Sequence, residues 1–180
     1  MRMRTGSLHY LSGWLCPTIV MVIMACGCAR SSVQPNRIRF DVMERSIPQL
    51  AASLDAGEVT SRELVEAYLA RIKAYDQRGP ALNAMLFINP NAAMIAAELD
   101  AERAAGQVRG LLHGIPVVVK DNYDTADMPT SAGAIGLATS MPPDDAFQVR
   151  RLREAGAIIL GKTNMHELAR GITTVSSIGG

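Results

Sequence analysis

Cysteine is confined to the beginning of the chain, where Cys16, Cys26 and Cys28 are the only three among 180 residues. The rest of the sequence has none, so disulfides cannot stabilise it. The same absence excludes a cysteine nucleophile and a thiolate-bound metal from the body of the chain.

An excess of charge of one sign is also missing. Lysine and arginine number 18 against 17 acidic residues, which gives a formal net charge of +1. Proteins that bind nucleic acid usually carry a basic patch, and this balance does not provide one, so we expect no nucleic-acid partner. Aromatic residues make up only 4% of the chain, but the hydrophobic fraction of 48% is enough for one core of modest size.

The first 25 residues have the pattern of a signal peptide. Arg2 and Arg4 are the only basic residues other than histidine before Arg30, and an apolar stretch follows from Trp14 to Ala25. This stretch is shorter than the roughly 20 residues that a membrane-spanning helix needs. A basic start followed by a short apolar segment is typical of a secretory signal. We therefore expect an exported protein of the cell envelope or periplasm, with residues 1–25 as signal and residues 26–43 as a polar tether.

Residues 23–26 (Ile-Met-Ala-Cys) also resemble a bacterial lipobox. In that case Cys26 would carry a lipid and attach the protein to a membrane. Cleavage after Gly27 by an ordinary signal peptidase is the competing interpretation. A misplaced start codon is a third explanation of the segment.

The body of the chain alternates between helical and strand-like patterns. Strand, helix and strand in succession predict a parallel crossover at the end, and therefore an α/β fold. The continuous apolar run of residues 115–120 predicts a strand that is covered on both faces. The predicted helices cover residues 46–57, 60–79, 92–105 and 144–155, and the predicted strands cover residues 85–88, 115–120 and 157–160.

Lys120 ends the apolar strand of residues 115–120 and is followed by Asp121 and Asn122. A lysine at such a place can be partly desolvated, which favours the neutral form that acts as a base. The alternative is a strand-end lysine that reaches water, and spacing alone favours this second interpretation.

Longer motifs add to this picture. Residues 112–122 (LHGIPVVVKDN) resemble the LHGIPVxVKDN signature of amidase-signature enzymes. Residues 128–133 (MPTSAG) and 155–165 (AGAIILGKTNM) are similar to the next two blocks of that family, in the same order. Residues 58–84 resemble its opening helix and turn, so the resemblance covers about residues 44–180.

The resemblance implies a mixed sheet flanked by helices, of which this chain would hold the amino-terminal part. It also implies hydrolysis of carboxylic amide C–N bonds in a small-molecule substrate, through a serine nucleophile, a bridging serine in a cis peptide and a lysine, without metal or other cofactor. Lys120 takes the position of the catalytic lysine. The two serines would follow Gly180, because no GGSSGG-like stretch occurs before it. We therefore expect residues 1–180 alone to be inactive, and the alternative is a truncated, non-catalytic, amidase-like exported lipoprotein.

Several other patterns have competing explanations. Residues 156–163 (GAIILGKT) satisfy the P-loop formula, but their centre is strand-like and a helix precedes them, so we expect no phosphate site. Ser176 and Ser177 resemble the expected serine motif superficially, and we interpret them as the segment that precedes it. His113 is expected to be structural.

Acidic and histidine residues do not form a convincing metal motif. Asp121, Asp124 and Asp127 resemble a loose calcium loop without the closing glutamate of an EF-hand. His166 and Glu167 lack the second histidine of a zinc motif. We therefore expect no metal.

Overall fold

The computed structural model describes residues 40–180. The predicted signal peptide, the lipobox with Cys26, and most of the predicted tether lie outside these residues. Phe40 and Val42, which fall within the predicted tether, pack with the first apolar cluster of the body.

Four α-helices occur in residues 40–180. Both predicted capping boxes are present, because the Ser46 amide donates to the Gln49 side chain at 2.8 Å and the Thr60 amide donates to Glu63 at 2.9 Å. The helices are α1 (Ile47–Asp55), α2 (Ser61–Tyr75), α3 (Ala92–Ala104) and α4 (Phe147–Glu154), with 3₁₀ turns at Ile135–Leu137 and Glu167–Ala169.

Two predicted helix boundaries were wrong, and in both cases an aspartate explains the difference. Helix α2 ends before Gly79, because the Asp76 carboxylate accepts hydrogen bonds from the amides of Ala84 (2.6 Å) and Met85 (3.2 Å) and draws the chain back. Asp145 does not cap α4. It accepts a hydrogen bond from the Ala126 amide at 2.9 Å, and α4 begins at Phe147.

The three strands are β1 (Met85–Ile88), β2 (Pro116–Lys120) and β3 (Ile158–Thr163). They form one mixed sheet in the order β1-β3-β2, in which β2 pairs with β3 in parallel and β1 pairs with β3 antiparallel. The predicted parallel pair is therefore confirmed. Within residues 40–180, β1 and β2 each pair on one side only.

The core packs on both faces of the central strand. Ile158 and Leu160 face α2 and α3, whereas Ile159 packs with Val149 of α4 on the other side. The strand that is covered on both faces is therefore β3. For β2 the prediction was wrong in the described part of the chain, because Val118 is 45% exposed. No helix in residues 40–180 is long and apolar enough to cross a membrane.

Candidate active site

Lys120 is the last residue of β2, and it pairs with Thr163 of β3. Its carbonyl accepts a hydrogen bond from the Tyr123 amide at 3.0 Å, which begins a turn immediately after the strand. Within residues 40–180 this lysine is exposed, in line with the interpretation that spacing alone favours.

Asp121, the first residue after β2, is completely buried. Its Oδ2 accepts hydrogen bonds from the amides of Ser131 (3.1 Å) and Gly133 (3.2 Å) and from the Ser131 hydroxyl. Its Oδ1 accepts no hydrogen bond and faces the ammonium group of Lys162 at 3.3 Å. Lys120 is therefore exposed at the end of β2, whereas Asp121 is buried in the turn that follows the strand.

Lys162 is the buried partner of Asp121, with no exposed side-chain surface. Its Nζ donates to the Pro129 carbonyl at 3.0 Å and to the Thr130 hydroxyl at 2.9 Å. Burial lowers the pKa of Lys162 from its ordinary value, and the negative charge of Asp121 opposes this shift. Sequence reasoning missed this role, because Lys162 attracted notice only as part of the P-loop formula and of the family block of residues 155–165.

The P-loop formula itself falls on a strand. Residues 158–163 are β3, so no phosphate-cradling turn separates the two glycines. Gly156 is needed for packing, because a Cβ there would lie 2.7 Å from the Cα of His113. Gly161 is needed for strand pairing, because a Cβ there would lie 2.3 Å from the Phe87 carbonyl oxygen.

Residues 131–133 connect the end of β2 to the carboxy-terminal part of the chain. The Ala132 amide donates to the Asp121 carbonyl at 3.1 Å, and the Ala132 carbonyl accepts from the Leu168 amide at 2.8 Å. Ala132 has a φ of 50°, a conformation that non-glycine residues rarely adopt. A Cβ on Gly133 would lie 3.0 Å from the Met165 carbonyl oxygen, so these two segments are in close contact.

Ser176 is buried, and its hydroxyl acts both as donor and as acceptor. It donates to Asn164 Oδ1 at 3.0 Å and accepts from the Gly179 amide at 2.9 Å. The Asn164 amide group in turn donates to the Asn83 carbonyl at 3.1 Å. These contacts hold the chain near Gly180 against the loop that precedes β1.

Ser177 is held from two sides. Its hydroxyl accepts a hydrogen bond from the Ile135 amide at 2.9 Å, and its own amide donates to Glu167 at 2.9 Å. Hydrogen bonds from Ser177 lower the pKa of the Glu167 carboxyl. In the described chain no hydrogen bond joins Ser176 or Ser177 to Lys120, and their exclusion as nucleophiles stays a prediction.

His113 has the environment of a structural residue. It is buried, its Nε2 lies 2.9 Å from the Leu99 carbonyl oxygen, and its Nδ1 lies 3.3 Å from the Arg109 amide. A neutral ring that carries its proton on Nε2 satisfies both contacts.

Two of the three aspartates considered for calcium, Asp121 and Asp127, have other partners. Asp121 faces Lys162, and Asp127 accepts hydrogen bonds from Asn89 at 3.0 Å and from Arg153 at 2.7 Å. His166 lies 3.3 Å from the Thr173 hydroxyl. Among residues 40–180, no group of three or more histidine, cysteine, aspartate or glutamate residues is placed to hold a metal.

Residues 40–180 form a mixed α/β unit. It has a lysine at the end of β2 and a buried aspartate–lysine pair next to that strand end. The family model "Amidase" matches residues 63–180, and the chain belongs to this family.

Relatives and solved structures agree with this assignment. The chain is 43% identical over 141 residues to a glutamyl-tRNA(Gln) amidotransferase subunit of Acidothermus cellulolyticus, covering 78% of this chain and 27% of that relative. It superposes on the peptide amidase of Stenotrophomonas maltophilia with a TM-score of 0.73 and 48% identity, covering 77% of this chain and 29% of the amidase. Fatty acid amide hydrolase, at 23% identity and a TM-score of 0.68, shares the fold. The chain thus spans about a quarter of the length of the curated relatives that it matches.

Proposed function

We propose that the complete protein hydrolyses the C–N bond of carboxylic amides with Lys120 as its base. The complete protein here means this chain together with the serine-bearing sequence that the family resemblance places after Gly180. The observation that carries the proposal is the exposed amine of Lys120 at the end of β2, within the sequence motif where the family has its lysine.

The proposed reaction begins with proton transfer to Lys120. A neutral Lys120 amine accepts a proton from the bridging serine, which accepts one from the nucleophilic serine. The nucleophile then forms a C–O bond to the carbonyl carbon, the C–N bond breaks, and the leaving amine takes a proton from the same relay. Water completes the cycle by hydrolysing the acyl-enzyme. In the complete protein, the sequence after Gly180 would cover Lys120 and remove it from water, which residues 40–180 do not do.

The substrate class proposed is a peptide amide. The support is the 48% identity to a protein described as a peptide amidase. The test compares a peptide amide, an anilide and glutamine as substrates, and exclusive release of ammonia from glutamine would contradict the proposal.

The Lys120→Ala variant tests the mechanism. General-base catalysis typically contributes about 10²- to 10⁴-fold, so we expect turnover of the best amide to fall by such a factor. Lys73→Ala is the matched control, because Lys73 is also an exposed lysine but lies on α2. This variant should leave turnover unchanged. Equal activity of Lys120→Ala and the unmodified protein would exclude Lys120 as the base.

A non-catalytic, amidase-like lipoprotein is the alternative. The hydroxyl contacts of Ser176 and Ser177 support it, because both are already engaged with Asn164, Ile135 and Gly179. A serine-reactive fluorophosphonate separates the two functions without knowledge of the substrate. Labelling of a single serine in the complete protein supports the amidase, and the absence of labelling supports the alternative.

We also propose export and lipid attachment through Cys26, which the sequence pattern of residues 1–26 supports. Cys26→Ser should release the protein from the membrane fraction of the producing bacterium, whereas Cys28→Ser should not. A soluble unmodified protein that has been cleaved after Gly27 would instead indicate ordinary secretion.

A further inference from the structure

The Asp121–Lys162 pair is unusual among the ion pairs of residues 40–180, because both side chains are 0% exposed. Removing two charges from water is costly, and apolar side chains of similar volume often stabilise a protein equally well. Every proton of the Lys162 ammonium has an acceptor nearby, namely Pro129, Thr130 and Asp121. We expect a buried pair of this kind to specify one arrangement of the chain more than it adds stability.

That arrangement includes the backbone of Lys120. Asp121 is the next residue, and its amide donates to the Thr163 carbonyl at 3.2 Å. Lys162 lies opposite Val119 in the parallel register, and Thr163 lies opposite Lys120. The pair therefore joins the chain at the end of β2 to β3, next to Lys120.

The same aspartate also fixes the path to the carboxy-terminal segment. Its Oδ2 orders residues 131–133, whose Ala132 carbonyl accepts the Leu168 amide at 2.8 Å. A Cβ on Gly133 would lie 3.2 Å from the Cβ of Ser176, which shows how tightly the two segments pack. One buried carboxylate thus connects the position of Lys120 with that of the segment leading to Gly180.

We infer that Asp121 and Lys162 are positioning residues, which hold the backbone of Lys120 in place relative to the segment of residues 164–180. This inference rests on the proposed function, in which Lys120 is the base. Neither residue touches the substrate, and each acts through the backbone and through residues 129–133.

The experiment uses the complete protein and two readouts, amide turnover and the rate of fluorophosphonate labelling. A displacement of about 1 Å can cost about 100-fold in rate. We therefore expect Asp121→Asn to lower kcat and the labelling rate by about 10- to 100-fold, with KM within about threefold of the unmodified protein. Ser131→Ala removes one hydroxyl from Asp121 and should have a smaller effect in the same direction.

Arg153→Gln is the matched control for a merely structural effect. Arg153 pairs with Asp127 at 2.7 Å and Asp145 at 2.9 Å, so its loss disturbs the same loop without touching residues 129–133. It should lower the melting temperature and keep kcat within about twofold. If Asp121→Asn lowers kcat no more than Arg153→Gln at an equal loss of melting temperature, the positioning role is excluded.

The outcomes also separate this inference from the proposed function. Full activity of Lys120→Ala overturns the proposed function and the inference with it. Loss of activity in Lys120→Ala, together with unchanged kcat and labelling rate in Ser131→Ala and Asp121→Asn, overturns the inference alone. Should Asp121→Asn fail to fold, Ser131→Ala decides: a lower kcat at unchanged KM supports positioning, and an unchanged kcat overturns it.

Discussion

Helices α1–α3 and the carboxy-terminal segment of residues 164–180 are held in place by different interactions. The helices bury apolar side chains such as Leu50, Leu64 and Leu99, each at most 4% exposed. In the segment, Ile172 is 99% exposed and Val175 is 59% exposed. Its course is determined instead by hydrogen bonds to other parts of the chain, from Asn164 to the Asn83 carbonyl, from the Leu168 amide to Ala132 and from the Ile135 amide to Ser177.

The backbone shows the same contrast. Leu168, Ala169 and Thr174 have φ values between 52° and 55°, which is unfavourable for residues other than glycine. Such conformations persist only where surrounding contacts enforce them, and they cluster at functional sites. The helices are therefore held by apolar packing, to which strand residues contribute, whereas the segment of residues 164–180 depends on individual hydrogen bonds. Four substitutions can test this difference.

The largest effect is expected at the buried Asp121–Lys162 pair, whose carboxylate orders residues 131–133 beside the carboxy-terminal segment. Lys162→Met leaves the Asp121 carboxylate buried without its counter-charge, and breaking a buried pair in this way typically costs about 3–5 kcal/mol. Urea denaturation of the complete protein measures the loss. The double variant Asp121→Asn with Lys162→Met should recover part of the lost free energy of unfolding. Equal stability of Lys162→Met and the unmodified protein would show that the pair does not contribute to stability.

Leu64→Ala tests the apolar support. Leu64 is completely buried among Leu50, Leu54 and Ile115, and a cavity there should cost about 2–5 kcal/mol. Ile172→Ala is the control in the segment and should change stability by less than about 0.5 kcal/mol, because its side chain is in water. A large loss for Ile172→Ala in the complete protein would mean that sequence after Gly180 buries it.

Asn164→Ala removes three polar contacts of the segment, to the Asn83 carbonyl, the Met165 amide and the Ser176 hydroxyl. Leaving buried partners unsatisfied costs about 1–3 kcal/mol. Hydrogen exchange should quicken in residues 176–180 and stay unchanged in α1–α3. Uniformly faster exchange across both regions would instead mean that the segment and the helices unfold together.

Glu167→Gln should have the smallest effect, which depends on pH. The pKa of Glu167 is lowered from its ordinary value of 4.5 by hydrogen bonds from Ser177. A carboxyl whose folded pKa is depressed contributes stability above the unfolded pKa and loses it as the pH falls through the folded pKa. Protection of the Ser177 amide should therefore decline below pH 4.5 in the unmodified protein. The decline should be absent in Glu167→Gln, and an identical decline in both proteins would assign it to another group.

Elements with a strong local signal were predictable. The starts of α1 and α2 follow from their capping boxes, and the parallel pairing of β2 and β3 follows from strand, helix and strand in succession. The end of α2 and the start of α4 were not, because Asp76 and Asp145 bond to amides outside the helices that they adjoin. A carboxylate that caps a helix and one that ties down a loop look the same in sequence.

Local sequence was enough to establish the amidase-family motifs and the position of Lys120 at the end of a strand. These features depend on residues within one strand or turn, so local pattern and motif order suffice. Tertiary packing alone determines that Lys162 is buried against Asp121. The Lys162 contacts join residues 32 and 33 positions apart, and such contacts form only when the folded sheet brings the loop over β3.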